Sequence, residues 1–523
     1  MKKKIVSLLL VAAMVTSMGC GASDEGTSSN DTNDNVVATE NSGDATSDVE
    51  KPEKITIMVD GTVFTQENGQ AEFEAKWEEL TGIDLEIIQP DHDAYYDVVG
   101  QTFAGGDWPD VIILGSTYYA GYASEGVLWD MTAAYESSSI PSRVVNAELV
   151  DGLKIDGALY GIAPTRGNGC VTYVKQTWLD NCGLTAPTNY EEYIAMLDAF
   201  TTGDPDGNGV NGDTYGVSAA GIIGSESPYT NYLPEFYQDA FPSFYTNDEG
   251  VWVDGFEEQS MKDALTRLRE AYVAGYIDKE TLTNATSDCR NKFYEDKYGV
   301  FTYWAGTWAT NLKTNLEANG LSGDLVALEP IAELGQYVER TAPAWCITAA
   351  CENPEGVFKY FIETMLDGGD MQFLWTYGVE GVHWSTAAET LTLDPEKAED
   401  DKVYAEGEFH MLPNLEKPTT QYTKAHIDPM LAITPLENDP RESSVAEEAK
   451  NASEVFNANC YQAELVMSTD EMSTYNGDLT TLKNKLIAQI VVEGQSIDEA
   501  YAQYEAEKGA EWSKAIVDSL NAQ

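Results

Sequence analysis

Short apolar runs alternate with stretches of helical periodicity along most of the chain. Residues 55–59 and 111–114 are runs of aliphatic and β-branched side chains, which are typical of buried strands. Between them, Phe73, Trp77 and Leu80 recur at spacings of four and three, which places one apolar stripe on a helix. This alternation of strand and helix predicts βαβ units and therefore an α/β fold with parallel strands.

The same patterns predict further elements along the rest of the chain. The predicted strands are 85–88 and 299–302, and the predicted helices are 95–103, 190–200, 261–274, 356–366 and 479–492. No repeat of fixed period is present. With 523 residues, 43% of them hydrophobic, the chain is long enough for two large domains with sizeable cores.

The charge of the chain is strongly negative. Thirty Lys and Arg stand against 88 Asp and Glu, which gives a net charge of −58 at pH 7. A nucleic-acid partner is excluded, because phosphate contacts need clustered basic residues, and a basic membrane-binding face is equally disfavoured. Only four histidines occur, so a multi-histidine metal centre is not expected. The acidic surface also predicts a weak preference for uncharged over anionic solutes.

The first twenty residues predict export. Lysines at positions 2–4 precede an apolar run over 5–15, which is shorter than the ~20 residues of a membrane-spanning helix. The sequence Ser-Met-Gly-Cys that ends at Cys20 resembles the lipobox of bacterial lipoproteins, although Ser17 stands where Leu is usual. The resemblance implies a signal peptide over 1–19 and acyl chains such as palmitate on Cys20. An ordinary signal peptide followed by an incidental cysteine is the alternative.

Residues 20–53 are predicted to form a disordered tether. Twenty-four of the thirty residues over 21–50 are Gly, Ser, Thr, Asn, Asp or Glu, and none is aromatic. Since two acyl chains suffice for stable anchoring, we expect a globular protein on the extracellular face of the bacterial cell membrane. Six cysteines remain. Cys346 and Cys351 are close enough in sequence to pair, and unpaired structural cysteines are an equally open interpretation.

Five motifs in order resemble extracellular solute-binding proteins of bacterial ABC importers, of the type that carries sugars. They are Gly-Asp-Trp-Pro-Asp at 106–110, the Ala-Gly-Tyr-Ala-Ser-Glu-Gly-Val segment at 120–127, Tyr-Gly-Ile-Ala-Pro at 160–164, the Trp-Leu-Asp to Gly-Leu segment at 178–184, and Tyr-Gly-Val-Glu-Gly-Val-His-Trp at 377–384. The last is similar to a signature of the lipoprotein subgroup that handles complex oligosaccharides. The resemblance covers nearly all of residues 55–510.

The resemblance implies a two-lobed periplasmic-binding-protein-like fold, with hinge crossovers and a ligand cleft between the lobes. Residues 54–165 plus about 335–372 would form the N-terminal lobe. Residues 166–334 plus about 373–523 would form the C-terminal lobe. Lobe closure on an oligosaccharide is then a shift of population between open and closed forms. The implied partners are ABC permease subunits in the membrane, and the protein is expected to be a monomer and not an enzyme.

One loop has the spacing of a calcium site. Acidic or amide residues occupy positions 1, 3 and 5, and Gly occupies position 6, as at the start of an EF-hand loop. Tyr215 stands at position 12 in place of the usual Glu, so an earlier acid has to close the site. The predicted ligands of a structural Ca²⁺ are Asp204, Asp206, Asn208, the Val210 carbonyl and Asp213. A plain turn without an ion is the alternative.

A sugar-binding cleft needs aromatic rings for the sugar face and polar groups for its hydroxyls. Trp308 matches the Gly-x-Trp turn of the family, whose tryptophan stacks on sugar, and Trp304 belongs either to the cleft or to the core. Polar contacts in the first lobe are expected where Ser116, Thr117 and Tyr118 follow the 111–114 strand. The family usually has charged residues there, so its contact chemistry does not transfer to this chain.

Five further residues are candidates for ligand binding. Arg166, at the first crossover, would contact the ligand or form an interlobe salt bridge, the second role being slightly favoured. Trp345 follows the second crossover, and Glu380, His383 and Trp384 belong to the last motif. A single histidine in such a chain is more often a hydrogen-bonded structural residue than a ligand contact.

Two other classes of protein compete with a sugar-binding lipoprotein. An exported glycoside hydrolase needs only two carboxylates at a set separation, and 88 acids allow such a pair. No catalytic signature of the Gly-x-Ser-x-Gly or His-Glu-x-x-His kind supports it. A surface adhesin would predict repeats, which are absent. The sequence therefore favours capture of a carbohydrate, as an oligosaccharide, and its delivery to a permease.

Overall fold

Two four-stranded sheets organise the computed structural model of the chain. It describes residues 49–522, apart from 61–64, 92–93, 223–232, 332, 394–400, 416–417, 419–420, 422–425, 441–444 and 468. The predicted signal peptide, Cys20 and most of the predicted tether lie outside the described residues.

The described elements alternate between strand and helix in the first lobe and become mostly helical towards the C-terminus. The strands are β1 Lys54–Met58, β2 Asp84–Ile88, β3 Val111–Leu114, β4 Lys154–Ile155, β5 Ala158–Leu159, β6 Cys170–Lys175, β7 Tyr215–Val217, β8 Phe244–Thr246, β9 Trp252–Asp254, β10 Tyr298–Trp304, β11 Leu325–Ala327, β12 Tyr337–Glu339, β13 Ala344–Ile347, β14 Trp384–Ser385, β15 Glu389–Leu391, β16 Lys402–Tyr404, β17 His410–Met411 and β18 Cys460–Gln462. The helices are α1 Gln70–Thr81, α2 Tyr95–Gly105, α3 Ser116–Ser124, α4 Thr132–Ser137, α5 Glu148–Asp151, α6 Gln176–Cys182, α7 Tyr190–Thr202, α8 Gln259–Ala274, α9 Thr286–Tyr294, α10 Thr307–Ala318, α11 Pro354–Val357, α12 Glu363–Met365, α13 Asp370–Tyr377, α14 Glu447–Ala458, α15 Asp470–Ala488, α16 Ile497–Ala506 and α17 Gly509–Leu520. Two π-helical turns, Phe358–Ile362 and Gln489–Glu493, continue α11 and α15.

The first sheet has the strand order β13-β3-β1-β2. β1 is parallel to β2 and to β3, as the βαβ pattern predicts, and β13 pairs antiparallel with β3. The aliphatic residues of these strands pack against α1, whose Phe73 and Trp77 are buried. Leu80 is 40% exposed, contrary to the predicted stripe, because the helix ends at Gly82 and Ile83 takes the buried position beyond it.

The second sheet has the order β11-β6-β10-β7 and is mixed rather than parallel. β10 is parallel to β7 but antiparallel to β6, the strand by which the chain enters this sheet. Alternate side chains of β6 and β10 point to opposite faces, and each face has its own apolar core. The two sheets therefore belong to two lobes with separate cores, which confirms the predicted α/β two-lobed fold class.

Three segments connect the lobes. The first follows Ile162, which pairs with Trp345, and ends at Cys170 in β6. The second runs from the end of β11 to the start of β13. The third comes later than the predicted boundary near residue 372, because Trp375 packs in the first core on Phe73 and Trp77 and Ile433 packs there too. This segment leads from Ile433 to α14, whose Phe456 lies in the second lobe.

Cys346 and Cys351, the pair that is close in sequence, are not joined by a disulfide. Among the described residues, no helix has the length and apolar character that crossing a membrane requires.

Candidate functional site

The first lobe presents a pair of tyrosines at the carboxyl ends of its parallel strands. Tyr96, at the start of α2, stacks on Tyr118 in the first turn of α3, with ring centroids 3.7 Å apart and an interplanar angle of 3°. The Tyr96 hydroxyl accepts a hydrogen bond from the Gly115 amide at 2.9 Å, and a Cβ at Gly115 would lie 2.8 Å from that oxygen. Tyr118 is 41% exposed, so one ring of the pair remains available to a ligand.

The edge that carries these tyrosines follows from the topology, since ligands of α/β sheets bind at the carboxyl ends of parallel strands. Ser116 and Thr117 lie there as predicted, at the start of α3. Tyr96, Asp60 after β1 and Gln89 after β2 lie at the same edge, and the sequence analysis missed them. Both side-chain polar atoms of Gln89 are buried without a hydrogen-bond partner. Polar residues placed directly after predicted strands are the signal that could have identified Asp60 and Gln89.

The second lobe presents two tryptophans around the turn from β10 to α10. Gly306 caps this helix with φ of 79°, a conformation that favours glycine. Trp308, in the first turn, packs edge-to-face on Tyr303 with centroids 4.7 Å apart. Trp304, at the end of β10, is half-buried between the two cores of the lobe, so it contributes to both the surface and the packing. The structure thus brings the two predicted tryptophans to one end of the second sheet.

The guanidinium group of an arginine lies over each tryptophan ring, and the sequence motifs identify neither arginine. The Arg290 guanidinium of α9 lies 5.2 Å from the centroid of Trp308 and 5.6 Å from that of Tyr303. The Arg340 guanidinium lies 4.8 Å from the centroid of Trp304. Arg340 also donates from Nε to the Gly167 carbonyl at 2.8 Å, which ties the second crossing segment to the first. A cation–π contact therefore helps to hold each tryptophan ring in place.

Arg166 forms a salt bridge at the hinge. Its guanidinium donates to both carboxylate oxygens of Glu339, at 2.7 and 2.5 Å, and Nη2 lies 3.5 Å from the Cys460 sulfur. Arg166 and Glu339 belong to the first and second crossing segments, and Cys460 begins β18, which follows α14 and pairs with the strand of Glu339. Burial raises the pKa of the Cys460 thiol to about 11, which keeps it neutral beside the ion pair. Of the two predicted roles of Arg166, the structure favours the salt bridge.

A second buried carboxyl lies beneath the sheet of the C-terminal lobe. Glu235 is almost fully buried and accepts hydrogen bonds from the hydroxyls of Thr172 and Tyr193. Within the described part of the chain it has no basic partner. Burial raises its pKa to about 7. The acid is therefore held by hydroxyl groups alone.

Trp345 is corrected from a ligand contact to a core residue. It is 3% exposed on β13 and packs on Phe361, Trp375 and His426 in the first lobe. Its position after the second crossover predicts a ligand contact, whereas the hydrophobic core of the first lobe extends to this end of β13 and buries the ring.

The last predicted motif folds into a cluster of its own. His383 is 2% exposed, with Nε2 2.8 Å from the Asn68 carbonyl oxygen and Nδ1 accepting from the Val379 amide, so it is structural and not a ligand contact. Trp384 packs on Phe373 and donates to the Gly378 carbonyl, and Glu380 is exposed. The ring contacts of Trp384 are with Phe373 and Phe409, within this cluster.

The predicted metal loop follows α7 and is held by internal hydrogen bonds. The Asn208 amide donates to Asp206 at 2.7 Å and to Asp213 at 3.0 Å, and the Gly209 amide donates to Asp204. The remaining oxygen of Asp204, Oδ1, is buried without a partner. Burial, together with the Asp204 and Asp213 carboxyls, raises the pKa of Asp206. These oxygen donors fit the chemistry of Ca²⁺, although no three-acid metal cluster is formed by the described His, Cys, Asp and Glu residues.

A separate cavity of about 540 Å³ lies beside the hinge. Its walls come from residues 237–246 of the second lobe, from Gln336 and Val338 of the second crossing segment, and from residues between 461 and 466 that follow α14. It shares no lining residue with the two aromatic pairs and includes no residue of the first sheet, so it is not the cleft between the lobes.

Two lobes with separate sheets, three crossing segments and an aromatic pair at the end of each sheet define a two-lobed solute-binding fold. The family model of the bacterial extracellular solute-binding protein matches residues 65–365, which is more than half of the chain. The chain belongs to this family. Its members are solute-binding proteins rather than enzymes, and none of the comparisons points to a glycoside hydrolase.

Two curated relatives come from Bacillus subtilis (strain 168). Lipoprotein LipO is 24% identical over 320 residues, which are 58% of this chain and 62% of the relative. The polygalacturonan/rhamnogalacturonan-binding protein YtcQ is 25% identical over 236 residues, 43% of this chain and 45% of the relative. The chain thus spans less than two thirds of the length of the curated relatives it matches.

Solved structures show the same fold over almost their whole length. FusA of Streptococcus pneumoniae, an ABC-transporter substrate-binding protein in complex with kestose, has a TM-score of 0.56 and 16% identity over 90% of this chain and 99% of that one. An HMO-binding solute-binding protein from Bifidobacterium longum infantis has a TM-score of 0.61 and 15% identity, with coverage of 90% and 98%. At such identity these likenesses establish the fold alone.

Proposed function

We propose that the protein captures an oligosaccharide between its two lobes and delivers it to the permease subunits of an ABC importer. The observation that carries this proposal is the set of aromatic residues at the end of each sheet: Tyr96 stacked on the exposed Tyr118 in the first lobe, and the half-buried Trp304 and Trp308 in the second. Flat rings stack on the apolar faces of sugar residues, and several rings suit a chain of sugars better than one sugar. The sugars bound by FusA and YtcQ, according to their names, are consistent with this proposal.

Closure of the lobes is the event that signals occupancy. A ligand that contacts both lobes stabilises the closed form by the contacts that the open form lacks. The crossing segments provide the axis about which the lobes rotate, and the Arg166–Glu339 salt bridge joins the first two of them. The protein itself then performs no chemistry on the sugar.

The anchor and the partners complete the proposal. Lipidation at Cys20 would hold the protein, as a monomer, at the extracellular face of the cell membrane, with the acidic tether spanning the distance to the permease. LipO, a relative named as a lipoprotein, supports this arrangement.

Calcium is proposed as a structural ion of the 204–213 loop. Asp204, Asp206, Asn208, the Val210 carbonyl and Asp213 would supply its oxygen ligands, and the partnerless Asp204 oxygen supports their convergence on a cation. The ion would offset two of the three negative charges of the loop and stabilise the turn after α7, away from the sugar.

Isothermal titration against a panel of neutral and acidic oligosaccharides tests the function. We expect binding without hydrolysis, and a decrease in radius of gyration by small-angle X-ray scattering when ligand is added. Cleavage of the oligosaccharides, or no binding across the panel, would overturn the proposal.

A further inference from the structure

The arginines of this chain differ in what their guanidinium groups contact. There are seven, of which Arg441 lies outside the described residues. Four donate to carboxylate or carbonyl oxygens within the protein, namely Arg143, Arg166, Arg267 and Arg269. Arg340 likewise donates to the Gly167 carbonyl while it lies over Trp304, and Arg290 lies over Trp308. In a chain with 88 acidic residues, it is notable that Arg290 forms no ion pair with any described carboxylate.

Arg290 is the clearest case. Its guanidinium faces Trp308 and Tyr303, and among the described residues no carboxylate forms an ion pair with it. Neither ring offers the guanidinium a hydrogen-bond acceptor, so among the described residues its N–H donors have none and can bind a planar, bidentate acceptor. The candidate site therefore holds a permanent positive charge with unused donors, directly beside the ring predicted to stack on sugar.

The surrounding charges orient such an acceptor. The net charge of −58 repels anions from most of the surface, so an anionic solute needs local cations to bind. Arg290 and Arg340 both belong to the tryptophan end of the second lobe. At the tyrosine end of the first lobe the charge is negative, because Asp60 lies close enough to raise the pKa of Tyr96 along with its burial. The carboxylate of an anionic solute should therefore face the second lobe, where the arginines lie, rather than the first lobe.

We propose that the solute is a uronate-containing oligosaccharide, one of whose carboxylates is bound by Arg290 while a sugar ring stacks on Trp308. This inference rests on the proposed oligosaccharide-binding function and specifies the substrate class of the same site. It reverses the preference for uncharged solutes that net charge alone predicts, because two ring-held arginines at the site outweigh the distant surface charge.

The test compares each acidic ligand with its neutral ester. Trisaccharides of galacturonate and of mannuronate, and their methyl esters, are titrated calorimetrically into the full chain and into two variants, Arg290→Gln and Arg290→Lys. We expect the acid to bind more tightly than its ester, and Arg290→Gln to lower affinity for the acid by ~10-fold to ~100-fold, as for a charge-assisted bidentate pair. Affinity for the ester should change by less than ~3-fold, and Arg290→Lys should recover part of the loss.

The control is Lys262→Gln, which removes another cation–π contact of the same lobe, over Tyr501, far from the tryptophans in the fold. It should leave both affinities unchanged. Equal losses for acid and ester in Arg290→Gln would show that Arg290 only positions Trp308, and would overturn the inference. Binding of neutral oligosaccharides with no advantage for the acids would also overturn it while leaving the proposed function intact. Failure of every oligosaccharide to bind would instead overturn the proposed function.

Discussion

The hinge and the tryptophan end of the second lobe contain the same charged group in opposite circumstances. At the hinge, the Arg166 guanidinium uses its donors on a Glu339 side chain that is 3% exposed. At the tryptophan end, Arg290 lies on aromatic rings and its donors find no acid among the described residues. An arginine that is paired with a buried acid, such as Arg166, therefore stabilises the fold. An arginine at a sheet end with no acid among the described residues, such as Arg290, is available to a ligand.

The largest expected effect is the loss of the hinge ion pair. Arg166→Ala leaves the Glu339 carboxylate buried without a counter-charge, which should lower the free energy of unfolding by about 3–5 kcal/mol. Urea titration followed by circular dichroism measures it. The double variant Arg166→Met with Glu339→Leu should recover most of the stability, because it leaves no buried charge. Arg290→Ala, by contrast, should lower the free energy of unfolding by less than about 1 kcal/mol. Equal losses for the two arginine variants would contradict the different roles assigned to them.

Glu235 extends the comparison to a buried acid without a basic partner. Its pKa is raised from 4.5 to about 7 by burial, so the folded protein favours the neutral carboxyl. The stability that this gives is fully present below pH 4.5 and is lost as pH rises through 7, by about 3 kcal/mol in total. Glu235→Gln should therefore match the parent at pH 4 and exceed its unfolding free energy by about 3 kcal/mol at pH 9.

The control for Glu235→Gln is Glu339→Gln, which should destabilise at both pH values because Glu339 has a permanent positive partner. Parallel pH profiles for the parent and Glu235→Gln would contradict a neutral buried carboxyl.

In the calcium loop, Asp204, Asp206 and Asp213 lie close together, and none of them forms an ion pair with a described basic side chain. At a calcium concentration of 100 times Kd, a structural ion adds about 2.7 kcal/mol, so chelation by EGTA should lower Tm by several degrees. Asp204→Asn should lower Tm in calcium and abolish the response to EGTA, because it removes the charge of the ligand at position 1. Excess magnesium should not substitute. An identical Tm with and without EGTA in the parent would indicate a plain turn.

The fold could be predicted from sequence because its signals are local and physical. The runs at 55–59 and 111–114 can be identified as strands from their own residues, without knowing which strands they pair with. Gly82 ends α1 as predicted. The third crossing was misplaced because Trp375 and Ile433 reach the first core from distant positions, and no local pattern shows which lobe an apolar residue will join.

The site was predicted only in part for the same reason. Trp304, Trp308, Ser116 and Tyr118 come from motifs that lie directly after strands, and the structure brings each set to the end of its sheet. Trp345 was misassigned because burial is a property of the packed fold, whereas His383 has the hydrogen-bonded structural role that was favoured for a single histidine. Arg290 was missed because its partner rings lie 13 and 18 positions away on β10 and α10, which a reading of local motifs does not connect.

The smallest expected effect, and the sharpest test of the tryptophan end, comes from Trp308→Ala. The ring is half-buried, so folding should be little affected, whereas loss of a stacked ring costs about 1–2 kcal/mol of binding, or roughly 5- to 30-fold in Kd. Titration calorimetry with the best ligand of the panel measures it. Trp252→Ala, which removes another half-buried tryptophan of the second lobe, is the matched control and should leave Kd unchanged. If both variants weaken binding equally, loss of lobe stability rather than loss of stacking explains the result. In that case neither Trp308 nor the Arg290 guanidinium beside it contacts the ligand.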